Sequence, residues 1–364
     1  MTLSVTGAPP RPARPRPAAG DRRDRARLAL IALACGLVLV ALLALGTGPL
    51  GLSPWRVLEV LRAGPQASVS ADSLVIWQIR LPRLLLGLAV GAGLATSGAL
   101  MQGLFRNPLA DPGLIGVSAG AALAAIATIV LGTAVLSLPE ALLQIYALPL
   151  AAFGGALVNT LLLYAIATRR GQTSVATLLL GGIAIGAAAG ALSGLLIYKA
   201  NDTQLRDFTF WSMGGLGGAT WGTMAVCGLA TLSVVVAAPF FARGMNAVTL
   251  GEAQAYHLGV DVQRLKRRVI VLVALSTGAA VAASGMIGFV GLVVPHLLRL
   301  VIGPDHRGLL PASALLGALL LVLADMVARS VVAPAELPIG IVTAAVGAPF
   351  FLWLLLRRRG GIGG

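Results

Sequence analysis

The chain has 364 residues, of which 57% are hydrophobic and only 11% charged, with a formal net charge of +14 at pH 7. So little polar surface excludes a soluble globule of this length and points to an integral membrane protein. With both termini placed in the cytoplasm, 20 of the 27 Lys and Arg fall on the inner side, so the basic balance follows the positive-inside rule and not nucleic-acid binding.

Residues 1–27 are rich in Pro and Arg and almost free of large apolar side chains; they read as a disordered cytoplasmic tail able to touch anionic membrane lipid. Arg22-Arg23 and Leu33-Ala34-Cys35-Gly36 faintly mimic export and lipidation signals. Few apolar residues precede Cys35, however, and the apolar run 28–50 continues past it, so an uncleaved first helix is expected. Further apolar runs lie at 82–104, 114–133, 142–167, 174–198, 221–241, 268–290, 291–303, 308–328 and 338–357. A helix needs roughly 20 residues to cross about 30 Å of hydrocarbon. The run 291–303 falls short of that length, and the others approach or exceed it. Nothing alternates in the manner of a membrane barrel. The predicted fold class is therefore an all-α polytopic membrane protein with about ten transmembrane helices, a domain spanning 28–357 and a short cytoplasmic tail at 358–364.

Particular residues stand out along these runs. The stretch WQIRLPR places Arg80 and Arg83 on the outer side, with Pro82 at the first helical position. A cation in a first helical turn opposes the helix dipole, so local stability does not explain Arg83; snorkelling toward headgroups is one alternative. Gly87, Gly91 and Ala95, and then Gly182, Gly186, Gly190 and Gly194, put small residues on one face of a helix, which lets another backbone come close. Bundle packing is the first reading of both stripes and the lining of a pathway the second. Cys35 and Cys227 read as buried free thiols. Met245–Arg268 is the longest inner polar segment. Its Ala255, Leu258, Val262 and Leu265 recur at helical spacing around Gly251 and Gly259, which predicts two short helices whose apolar face seeks a partner or lies on the bilayer. Asp325 stands four residues before Arg329, where the two can pair on one helical face.

Several chemistries lack their residues. The only lysines, Lys199 and Lys266, follow Tyr198 and Leu265, so no phosphate-binding Gly-Lys-Ser/Thr loop exists and ATP hydrolysis must come from elsewhere. His257, His296 and His306 show no metal-ligand spacing, and no apolar run holds paired carboxylates, which disfavours an intramembrane enzyme and predicts no cofactor in this chain. An ion-coupled carrier would rest on Asp325 alone.

The runs IRLPRLLLGLAVGAGLATSGALMQGLFRNPLADPGLIGVSAGAALAA (79–125), LGEAQAYHLGV (250–260), SGMIGFVGLVVPHLLRL (284–300), GPDHRGLLPASALLGALLLVLADMVAR (303–329) and AELPIGIVTAAVGAPFFLWLL (335–355) resemble the permease subunits of ATP-driven importers for iron-siderophores, haem and vitamin B12. The resemblance implies a homodimer of ten-helix subunits in the bacterial inner membrane, each with two inverted-repeat halves, around one pathway. It also implies two separate ATPase subunits carrying ATP and Mg, and a periplasmic binding protein. A faint likeness between 113–121 and 338–348 fits such a repeat. In the family a loop matching this one enters a cleft on the ATPase. That makes Leu250, Gly251, Glu252, Ala253, Leu258, Gly259 and Val260, within segment 245–266, the coupling candidates. Arg80, Arg83 and Arg329 match arginines that meet acidic residues of the binding protein, a task suited to bidentate guanidinium pairing. Thr173, Ser174, Val175 and Ala176 match an inner gate, with Val175 and Ala176 replacing hydroxyl side chains, so the gate here is more apolar. Residues 201–221, 303–307 and 321–340 look most like haem importers, with cobalamin or a ferric siderophore as the alternative cargo. His296, beside Pro295, reads as structural and not as a haem ligand.

Overall fold

The computed structural model describes residues 19–48, 51–65, 70–135, 146–170 and 172–359. The expected disorder of 1–18, the end of the first apolar run, the beginning of the fourth at 142–145, and tail residues 360–364 lie outside that set. In chain order the elements are α1 (Ala19–Gly46), α2 (Pro54–Ala63), α3 (Ala71–Leu104), α4 (Val117–Val135), α5 (Leu148–Ala167), the hairpin strands β1 (Thr168–Arg169) and β2 (Gln172–Thr173), α6 (Val175–Lys199) and α7 (Asp202–Met213). They continue as α8 (Trp221–Thr249), α9 (Glu252–His257), α10 (Val262–Ser284), α11 (Val290–Ile302), α12 (His306–Ser330) and α13 (Ile339–Arg359). Among the described residues, α1, α3, α5, α6, α8, α10 and α12 are the 7 helices long and apolar enough to cross a membrane, and α4, α11 and α13 carry shorter apolar stretches. Each predicted run falls on one of these helices. The only sheet among the described residues is the antiparallel pair β1–β2, in which Thr168 faces Thr173 and Arg169 faces Gln172.

Boundaries differ from the sequence reading in informative places. Helix α1 begins at Ala19, inside the segment expected to be disordered. The last proline of the tail is Pro17, and most of the stretch after it is Ala and Arg, good helix formers that outnumber Gly20, Asp21 and Asp24. The apolar stretch 268–303 is not two abutting spans either. Helix α10 stops at Ser284, Gly285 takes φ +66°, residues 285–289 are not α-helical, and α11 starts at Val290 after Phe289 in the left-handed region at φ +68°. Thirteen residues in α11 give about 20 Å of helix, short of a full crossing. Open backbone at such depth needs internal partners. Gly215 N–H donates to the Ser284 carbonyl (2.8 Å) and Ile339 N–H to that of Gly214 (2.9 Å), so the break, the end of α7 and the start of α13 are pinned together.

Helix α3 is the axis of the subunit: 89% of its most apolar window is buried, and it packs against α8, α10, α11 and α12. A Cβ added at Gly91 would overlap the Gly317 carbonyl of α12, and one added at Gly317 would overlap that of Gly91. The two backbones therefore cross in direct contact, which is what small residues permit in a lipid environment. Gly98 meets the Gly291 carbonyl of α11 in the same way. Near the C-terminal end of α3, Gln102 donates to the carbonyls of Gly291 (3.3 Å) and Leu292 (3.1 Å) and accepts from Arg299.

Candidate functional site

At one end of the bundle, a π-helical turn at Val75–Arg80 leads into the α-helical body of α3 and brings Arg80 and Arg83 beside α12 and the end of α1. Arg83 donates through Nε and Nη2 to Asp325 Oδ1 at 3.0 and 2.8 Å, and through Nη1 to Glu336 Oε1 at 2.9 Å. Arg329 lies with Nε 3.0 Å from Asp325 Oδ2 and donates to the carbonyls of Thr47 (3.0 Å) and Ala44 (3.4 Å). Arg80 donates to the Leu45 carbonyl at 2.6 Å. Arg80, Arg83 and Arg329 are 6%, 8% and 7% exposed, so the cluster is buried: Arg83 and Arg329 share the buried Asp325, Glu336 reaches Arg83 from the surface, and Arg80 packs beside them on the Leu45 carbonyl. Burial this deep requires such partners. Glu336, whose side chain is 45% exposed, is its outward end. The expected Asp325–Arg329 pair is present. Asp325 is held between the guanidiniums of Arg83 and Arg329.

At the opposite end, α8 runs past its apolar stretch to Thr249 and the chain turns at Gly251, φ +124°, into α9. A second turn at Gly259, φ +80°, leads to α10, whose first turn is capped by the Asp261 side chain. The face expected to seek a partner divides. Ala255, Val262 and Leu265 are buried in the core, because α9 lies back on α8 and α10, while Leu250, Tyr256 and Leu258 are exposed at 66%, 74% and 64%. Gly259 and Ala253 are also exposed, and Val260 is half-buried. Glu252 turns inward: its carboxylate lies 2.8 Å from Lys266 Nζ, which also donates to the Thr173 carbonyl at 3.0 Å.

Thr173 closes the hairpin between α5 and α6 and is buried, with its hydroxyl 3.0 Å from that of Thr168. Ser174 is the N-cap of α6, accepting from Thr177 N–H, Val175 is half-buried and Ala176 is exposed. The four gate candidates thus form the root of α6, and Lys266 and Gln263, which the sequence did not single out, hold that root. Beside them Asn246 of α8 donates to Asp305 at 2.6 Å and accepts from His306 N–H at 2.9 Å, tying α8 to the start of α12. Asp305 is pushed up by burial, yet bonds from Arg307 N–H and the Asn246 amide leave its carboxyl below the usual range.

Between the two ends lies Asp111, a partly buried carboxylate that the sequence reading did not anticipate. The link from α3 to α4 folds back into the subunit, and Asp111 caps the turn Pro112–Ile115 while lining, with Thr277, Ser118 and Gly288, a cavity of about 90 Å³. Among the described residues no cluster of three or more His, Cys, Asp or Glu is placed to hold a metal. His296 is buried and meets the Phe350 ring edge-on at 6.2 Å. The stripe on α6 behaves unlike that on α3: Gly182 is buried, but among the described residues nothing lies within 4 Å of a Cβ added at Gly190 or Gly194, so the close packing expected of the stripe is not made at those two positions.

A multi-pass helical bundle with a buried ionic cluster at one end, an exposed apolar knuckle at the other and no nucleotide site of its own is the architecture of a transport permease subunit. The FecCD transport family matches residues 36–357, and the chain belongs to that family, whose members are permease subunits of importers of the haem, vitamin B12 and siderophore type. It is 48% identical over 324 residues to a hemin transport system permease protein of Yersinia pestis, covering 89% of this chain and 94% of that protein. It is 46% identical over 312 residues to a cobalamin import system permease protein of Halobacterium salinarum, covering 84% and 80%. Its fold matches a solved inward-facing ABC transporter of metal-chelate type with TM-score 0.79 and 33% identity, covering 91% of this chain and 99% of that one.

Proposed function

We propose that this chain carries haem from periplasm to cytoplasm as one half of a homodimer, with both termini cytoplasmic, two separate ATPase subunits holding ATP and Mg below, and a periplasmic binding protein above. The observation that carries the cargo assignment is the 48% identity to a hemin permease along 89% of the chain. A flat, largely apolar tetrapyrrole also suits a bundle with few charges at depth. Import of cobalamin is the second reading, favoured by the 46% identity to a cobalamin permease; a ferric siderophore would use the same mechanism.

In this reading acidic residues of the binding protein engage Arg80, Arg83 and Arg329 at the outer cluster, entering where Glu336 is exposed. Leu250, Tyr256 and Leu258 seat on the ATPase, with the left-handed turns at Gly251 and Gly259 fixing the shape of the knuckle. Closure of the ATPase pair on ATP moves that knuckle, and the bundle switches between two packed arrangements that open or shut the gate at Thr173–Ala176. The exposed stripe of α6 faces the second copy across the pathway.

The test is reconstitution of the chain in liposomes with its ATPase and binding protein, following ATP-dependent uptake of haem, cobalamin and a ferric siderophore in parallel. Haem uptake that vanishes with Arg80→Glu and Arg83→Glu together, while the subunit still folds, is the expected result. Uptake of cobalamin alone would transfer the cargo assignment, and uptake needing an ion gradient and no ATPase would remove the mechanism.

A further inference from the structure

Lys266 sits one turn into α10 with its side chain only 3% exposed, and its ammonium has partners on two different elements. Both oxygens of Glu252, the first residue of α9, lie within 2.9 Å of Nζ. The carbonyl of Thr173, at the end of β2, accepts from the same Nζ at 3.0 Å. One turn earlier, Gln263 Oε1 accepts from Thr173 N–H at 2.9 Å, so both backbone groups of Thr173 are held by α10. An ammonium offers three donors, and two are used to join the knuckle to the root of α6.

The knuckle itself is stiff. Its turns close on themselves, with Ala255 N–H bonded to the Gly251 carbonyl and Val260 N–H to that of Ala255. Leu250, Tyr256 and Leu258 stand on its exposed side together with Gln254 and His257, while Ala255 turns to the core and the Glu252 carboxylate to Lys266. A push on Leu250, Tyr256 and Leu258 therefore moves Glu252 as part of a rigid body. A pair between a buried ammonium and a carboxylate whose side chain is 39% exposed contributes little net stability over an apolar substitute, so tight packing alone does not call for a lysine here. What the lysine adds is a directional link whose loss leaves a carboxylate without its cation and a carbonyl without its donor.

We infer that Lys266 is the positioning residue that relays movement of the α9 knuckle to the gate at the root of α6, an inference that rests on the proposed roles of those two segments. Lys266 touches neither cargo nor nucleotide; it acts through Glu252 and Thr173.

The experiment uses the full complex in lipid nanodiscs and liposomes with Lys266→Met, Lys266→Arg, Glu252→Gln and Gln263→Ala, each first checked for a wild-type melting profile. Haem is the cargo, or cyanocobalamin where the wild-type complex imports that instead. For Lys266→Met the expected result is a loss of about tenfold in molecules imported per ATP hydrolysed, within the range of ordinary coupling energies, while ATP turnover continues. A spin label at Ala176, mobile in one nucleotide state and restrained in the other in the wild type, should stop responding to nucleotide. Lys266→Arg should restore part of both, and Glu252→Gln combined with Lys266→Met should be no worse than either alone. Import and hydrolysis falling in the same proportion, or a label that still responds, would overturn the relay. Leu258→Asp separates the two levels: if it leaves ATPase assembly intact, the knuckle is not the ATPase contact and the parent reading fails.

Discussion

In α3 a Cβ added at Gly91 or Gly98 would overlap the carbonyl of Gly317 or Gly291, whereas in α6 nothing stands within 4 Å of the same point on Gly190 or Gly194. The most apolar window of α3 is 89% buried and that of α6 only 11%, although both helices carry small residues at the same spacing. In lipid, apolar surface gives little reason for helices to associate, and a stripe of glycines matters only where another backbone arrives. In α3 the arriving backbones belong to α11 and α12. At Gly190 and Gly194 of α6 none arrives from the described residues, and exposed Leu180, Ile183, Leu192 and Leu195 flank these positions. The first helix is the subunit's internal axis, and the second is largely exposed surface.

The largest effect should come from filling the α3 contact. Gly98→Leu drives a side chain into the backbone of α11, where no flexible side chain can move aside, and overpacking of this kind costs about 3 kcal/mol or more. The expected outcome is loss of a monodisperse peak on size-exclusion chromatography of the solubilised subunit. Survival of Gly98→Leu with a normal melt would mean that α3 and α11 separate easily, and the contrast with α6 would weaken.

Next in size is the ionic clamp between α3 and α12. Asp325→Asn leaves the guanidiniums of Arg83 and Arg329 buried without their shared carboxylate, and breaking one side of a buried pair costs on the order of 3 kcal/mol. Glu336, half-exposed, still holds Arg83, so the subunit should fold with a lowered melting temperature. A proton-coupled carrier would instead keep its stability and lose gradient-driven uptake.

How far these features are legible in the sequence depends on the distance over which they are encoded. Crossing lipid demands a length of apolar chain, so every span is visible as a local run. The Asp325–Arg329 pair is visible because i, i+4 neighbours share a helix face. Arg83 meets Asp325 from 242 positions away, and no local pattern announces that. Lys266 is hidden for the same reason, since its partners come from α9 and β2. Ala255, Val262 and Leu265 show by their period that one face is apolar, but period does not say whether that face turns to the core or to a partner. The break at 285–289 is invisible to hydropathy because its residues are as apolar as the helices they separate. Only Gly285 and Gly288 mark it, in a chain where glycine is common. The α6 stripe is the sharpest case: spacing says that a backbone can approach, and among the described residues none does at Gly190 or Gly194.

The smallest effect on the subunit, and the sharpest test of the comparison, comes from filling that stripe with Gly190→Leu and Gly194→Leu together. Glycine within a helix costs up to about 1 kcal/mol relative to a good helix former, and both positions have open space, so the isolated subunit should melt no earlier than the wild type. The deficit should appear only in assembly, as a lower dimer fraction on light scattering in detergent and a matching loss of import by the reconstituted complex. If the double substitution lowers the melt as Gly98→Leu does, α6 packs within the subunit like α3 and the contrast is lost. If melt, dimer fraction and import are all unchanged, the stripe faces only lipid. A loss of dimer and import at constant melt would place the second copy of the chain against α6, opposite the gate that begins at its root.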